Sequence, residues 1–126
     1  MLLLIISFFL NVNSQQAKMA HIHHELLAEL IAKRVTNSAT TKDEKLTALQ
    51  TWIHYRMFKP GDEPFQLASH PMGDLKNGIG DCGQQAQVML HLAAKVGIKG
   101  KLIHLEGAGR SHAFCAFEID LSLIHI

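Results

Sequence analysis

The stretch "GIGDCGQQAQVML", residues 78–90, decides the fold. Asp81 suits a helix N-cap, and Gln84 three residues on suits its reciprocal partner, the pattern of a capping box. A helix starting there puts Cys82 in its first position and runs to Val96, with Gly97 where a C-terminal glycine belongs. Cys82, Ala86, Met89 and Ala93 then share one side, the side that would meet a sheet. His91 falls on the opposite side and is expected to face solvent.

A cysteine attacks carbonyls as its thiolate. The partial positive charge of a helix N-terminus is worth about 0.3–1 kcal/mol and at most about 2, roughly one pKa unit for a thiol. That alone leaves a thiol mostly protonated at neutral pH, so a histidine partner is required. Downstream, "KLIHLE" reads as a strand, "GAGR" as a turn and "SHAFCAFEID" (111–120) as a second strand. His112, on that second strand, is the candidate partner. Strand alternation groups His112 with Phe114, Ala116 and Glu118, and Cys115 with Ala113, Phe117 and Ile119. If His112 faces Cys82, Cys115 faces away and reads as a small buried hydrophobe. A Cys82–Cys115 disulfide would need the opposite register. A zinc set of Cys82, His104, His112 and Cys115 fails the same test, and no metal ligands are expected. On spacing alone, a structural role for Cys82 stays ahead of a nucleophilic one.

Upstream, residues 24–36 form an amphipathic pattern with Leu26, Leu27, Leu30, Ile31 and Val35 in one stripe. After "NSATT", Thr41 and Glu44 make a second capping box. The helix they open carries Leu46, Leu49, Ile53 and Met57 on one face, with Trp52 beside them, to about Phe58. Residues 59–80 hold all three prolines together with the pairs "PG", "MG", "NG" and "IG", and are expected to form a long loop. "HIHH" at 21–24 is expected as a flexible, exposed entry to the first helix. His54, His70 and His104 have no expected role.

The 126 residues suit one domain, and 48% apolar content is globular. A net charge of +1 without any Lys/Arg cluster excludes a nucleic-acid partner. The run "MLLLIISFFL" is too short to span a bilayer and fits the apolar core of a secretory signal, although no basic residue precedes it. Val12 and Ser14 suit a cleavage site. Residues 1–14 are therefore expected to be a signal peptide, the mature chain to begin near Gln15, and the product to be extracytoplasmic, secreted or periplasmic, with no membrane span after signal removal. The hexamer "LSLIHI" (121–126) matches the translation of a transposase adapter used in sequencing libraries, and is expected to be foreign to the gene.

Residues 77–120, from "NGIGDCGQQAQVML" through "GIKGKLIHLEGAGRSHAFCAFEID", resemble the core of a transglutaminase-like domain, within the papain-like cysteine-enzyme superfamily. The order is a glycine, a cysteine, an alanine-bearing helix, a "GIKGK" helix exit, a strand, and a histidine at the start of the next. "KDEKLTALQTWIHYRM" resembles the helix that precedes the cysteine in such domains. The resemblance covers residues 41–120, after a helical lead-in at 15–40. It implies an α+β, papain-like fold of helices packed on an antiparallel sheet, here expected to be C-terminally incomplete. It implies Cys82 as nucleophile and His112 as general base, with the orienting aspartate beyond Asp120, which is itself read as opening a turn, so the 126-residue chain as it stands is expected to fold poorly and to be inactive. Asp81 beside the cysteine is an awkward feature, because a neighbouring anion opposes thiolate formation. The Cys82 backbone N–H is the natural first oxyanion donor, and Asn77 or Gln66 a candidate second. The implied function is cysteine acyl transfer on a protein or peptide amide, by hydrolysis or transamidation, without a cofactor. The rival is a non-catalytic binding module on the same fold.

Overall fold

The structure is a computed structural model that describes residues 1–59, 61, 67–119 and 122–125. Among the described residues, four helices precede a three-stranded antiparallel sheet. Helix α1 spans Leu2–Val35, α2 Lys42–Arg56, α3 Pro71–Asn77 and α4 Cys82–Lys95. Strand β1 is Gly100–Gly107, β2 Arg110–Ile119 and β3 Ser122–His125.

Helix α1 corrects the sequence reading in two ways. It is one continuous helix that takes in both the apolar N-terminal run and "HIHH", which is not a flexible entry. The reason is local: residues 2–35 contain no glycine or proline, the two residues that break helices strongly. Its buried face is also rotated from the expected stripe. Ala28 and Ala32 are fully buried, Leu27, Ile31 and Val35 pack against the core, and Leu26 and Leu30 stand exposed. Small residues let α1 approach its neighbours closely, and the leucines one step round the helix are left outside. Among the described residues, no helix is long and apolar enough to cross a membrane.

Both expected capping boxes form. In α2 the Thr41 side chain accepts from the Glu44 N–H while the Glu44 carboxylate accepts from the Thr41 N–H. In α4 the Asp81 side chain caps Gly83 N–H and Gln84 reaches back to the Asp81 N–H. Such a cap is worth about 1 kcal/mol. The segment expected as a loop contains α3, with His70 as N-cap and Pro71 in the first turn. A histidine is an uncommon cap, which hid the helix. His70 Nδ1 accepts from the Met72 N–H at 3.1 Å.

The residues ahead of Cys82 are held from several sides. Gly78 ends α3 with a left-handed φ of 70°, a conformation that favours glycine. Ile79 pairs in a parallel bridge with Phe58, just past the end of α2, through Phe58 N–H to Gly78 O and Gly80 N–H to Phe58 O, both 3.1 Å. A Cβ on Gly80 would lie 2.7 Å from both Gln84 Cβ and Met57 Cε. The sequence "NGIGDC" therefore closes one helix, bridges to a second, passes a tight contact and caps a third within six residues.

The hairpin turns through Ala108 and Gly109, both at positive φ (50° and 73°), as a two-residue type I′ turn requires. Its register pairs His104 with Ala113 and Leu105 with His112. β3 pairs with residues 116–119 of β2, so β2 lies between two strands there. Phe117 is fully buried under α4 with Leu46, Leu49 and Leu92. Burying each such side chain contributes about 1.5–3 kcal/mol.

Candidate active site

Helix α4 brings Cys82 to the floor of a cleft of about 160 Å³ between α2, α4 and β2. Cys82 is partly exposed. His112 lines the same cleft from β2, and Gln50 and His54 line it from α2. The two residues singled out in the sequence thus share one cavity, although among the described residues no hydrogen bond joins them.

The alternation reading needs correction. The Ala113–Cys115–Phe117 face packs toward α4, and Cys115 Sγ lies 3.6 Å from the Ala86 carbonyl, to which it donates. Cys115 therefore faces the helix that carries Cys82, and His112 is exposed. Residues of both parities border the cleft. His112, Ala113, Phe114 and Cys115 all line it in succession. His112 also stacks on Phe114, with ring centroids 6.1 Å apart, which restrains the imidazole.

The two thiols are free and differ sharply in setting. Cys115 is only 2% exposed, and burial pushes its thiol up to about 11, an unreactive state at neutral pH. Cys82 stands at the first position of a capped helix, where unpaired N–H groups point toward incoming negative charge.

Of the other sequence candidates, Asn77 is the exposed last residue of α3 and does not line the cleft. Gln66 and Asp120 lie outside the described residues. Asp81 spends Oδ1 on the Gly83 N–H at 2.9 Å, so its charge is committed to the helix cap. Sequence reasoning missed Gln85, whose amide donates to the Gly80 carbonyl at 3.1 Å and lines the cleft beside Cys82. It also missed Gln50 and His54. Their signal was present: the two lie four apart in α2, flanking the apolar Ile53.

A second polar cluster sits apart from this cleft. Glu25 of α1 is met by His70 and by His91 and Lys95 of α4. His91 does not face solvent as the helical wheel suggested, because α1 covers the side of α4 that the sheet leaves free. The Lys95 hydrogen bond, with His91 and His70 alongside, holds the Glu25 carboxyl down at about 2 against the opposing effect of burial.

Comparison with known proteins agrees with this geometry. The family model described as "Transglutaminase-like superfamily" matches residues 29–120. It begins inside α1, earlier than the resemblance read from the sequence. The crystal structure of a "putative protease" from Parabacteroides distasonis superposes on 80% of the chain with a TM-score of 0.64 at 13% identity. The chain spans 23% of the length of that protein, and a likeness at this identity shows the fold alone. A search of curated proteins gives no match.

Proposed function

The chain belongs to the transglutaminase-like superfamily, and from that premise we propose that it carries cysteine acyl-transfer chemistry at Cys82, with His112 as the general base. The observation that supports this most is that the two side chains line one cleft while the second thiol is buried and held protonated. Cys82 Sγ attacks the carbonyl carbon of an amide, and His112 accepts the thiol proton. The C–N bond then breaks, His112 delivers that proton to the departing amine, and a thioester remains on Cys82. Water or a second amine, deprotonated by His112, attacks the thioester and releases the product. The Cys82 backbone N–H, free at the helix start, is the proposed oxyanion donor. By resemblance hydrolysis ranks ahead of transamidation, and the substrate is a protein or peptide amide. We also propose that residues 1–14 direct export.

The test is turnover of peptide amides, with and without a competing amine, by the wild type, Cys82→Ala and His112→Ala. Loss of a triad member in serine enzymes costs on the order of 10⁴ to 10⁶ in rate, and a loss of at least about 10³ is expected here. The Asp81 carboxylate next to the nucleophile favours one rival, a binding module that keeps the fold without chemistry. That reading predicts peptide binding without turnover in all three proteins.

A further inference from the structure

The cluster around Glu25 has no part in the acyl-transfer reading. His21 and Glu25 are one turn apart on α1 and project to the same side. His70 comes from the α3 cap, and its Nε2 lies 3.3 Å from Glu25 Oε1. One donor atom from each of His21, Glu25 and His70 lies within 4.8 Å of the other two. A tetrahedral zinc with ligands at about 2.0–2.1 Å sets its donors roughly 3.4 Å apart, so the His70–Glu25 edge already has that length. His91 Nε2 is 2.9 Å from Glu25 Oε1, yet it is buried and not aligned to hydrogen-bond. His24 stacks on His70 with centroids 4.6 Å apart.

We propose that His21, Glu25 and His70 form a binding site for a divalent transition-metal ion of the zinc class, with the fourth position open to water. Two imidazoles and a carboxylate are the ligand types such ions prefer, and three protein ligands with one open position is a common zinc arrangement. Glu25 is ionised across the neutral range, as ligation requires. Its two oxygens are already divided: Oε2 takes the Lys95 ammonium, and Oε1 faces the histidines. Lys95 thus orients the carboxylate from outside the ligand set, as outer hydrogen bonds do at metal sites. His91 stands next to the open position, where it can hydrogen-bond a bound water. The ion would tie α1 to α3.

Ligation has a specific structural cost. His70 Nδ1 accepts from the Met72 N–H, so a neutral ring carries its proton on Nε2. An ion at Nε2 moves that proton to Nδ1, and the α3 cap opens. Metal loading should therefore speed hydrogen exchange of the Met72 amide.

The test uses untagged full-length chain stripped with a chelator, then titrated with Zn²⁺ by calorimetry and with Co²⁺ by absorption. One ion per chain is expected, without the thiolate-to-cobalt band that ligation by Cys82 or Cys115 would give. His21→Ala, at an exposed position, should weaken Zn²⁺ binding at least about tenfold, as should His70→Ala. His23→Ala, two residues along the same helix, should bind as the wild type. Absence of binding, unchanged affinity in His21→Ala, or a thiolate band would each overturn the proposal.

Discussion

The two ends of helix α4 are built on different physics. At its start, Asp81 and Gln84 satisfy the backbone through contacts two or three residues away, and Cys82 is left facing a cleft. Toward its end, His91 and Lys95 meet Glu25 across some 70 residues of chain, so the polar groups there answer to another element. The first end is a local device that leaves one side chain facing a cleft. The second is a long-range tie that locks α1 onto the helix. The difference separates the proposed chemistry from the tertiary ties in so small a core. Disturbing the first should change chemistry more than folding, and disturbing the second should do the reverse.

Acid sharpens the contrast most among the stability effects. Glu25 has a depressed folded value of about 2 against 4.5 unfolded, so its contribution is full above pH 4.5 and is lost as pH falls toward 2. Burial lowers the folded value of His91 despite Glu25 pulling it up, so its contribution is full above 6.5 and falls away below. Thermal melts should therefore lose stability first below pH 6.5 and again below 4.5, by about 1–3 kcal/mol in the lower step. Glu25→Gln should remove the lower step. A melting temperature flat between pH 7 and 3 would break the comparison.

Gly80→Ala probes the approach to the first end. Its Cβ meets Gln84 Cβ and Met57 Cε at 2.7 Å, and overpacking of that kind costs about 1–3 kcal/mol. Urea unfolding should show a lower midpoint with an unchanged slope. The smallest effect is expected from Asp81→Ala, about 1 kcal/mol for the lost cap. Because this change also removes an anion next to Cys82, alkylation of that thiol should speed up even as the helix weakens. A slower reaction would mean that the cap positions the nucleophile more than its charge opposes it.

These two ends also explain what the sequence could reveal. Capping boxes, the Cys82 position, the hairpin and the α+β class rest on spacings of a few residues, and they were legible. The Glu25 cluster was not, because Glu25, His70 and His91 come from three helices with nothing in their local pattern to connect them. α3 was hidden because a histidine caps it inside a stretch rich in proline and glycine. The face of Cys115 was misjudged because alternation fixes which residues share a side, not which side the helix covers. The continuous α1 follows from an absence of glycine and proline over residues 2–35, a weaker signal than a cap or a motif.

The central claim is that Cys82 is the reactive thiol and that His112 makes it so. The most direct measurement is the rate of iodoacetamide alkylation at each cysteine of the native chain, followed by mass spectrometry, in the wild type and in His112→Ala. The account predicts that Cys82 is modified at least about tenfold faster than Cys115, whose thiol is buried and protonated. It also predicts that His112→Ala slows Cys82 and leaves Cys115 unchanged. Faster labelling of Cys115, or a Cys82 rate indifferent to His112, would contradict it.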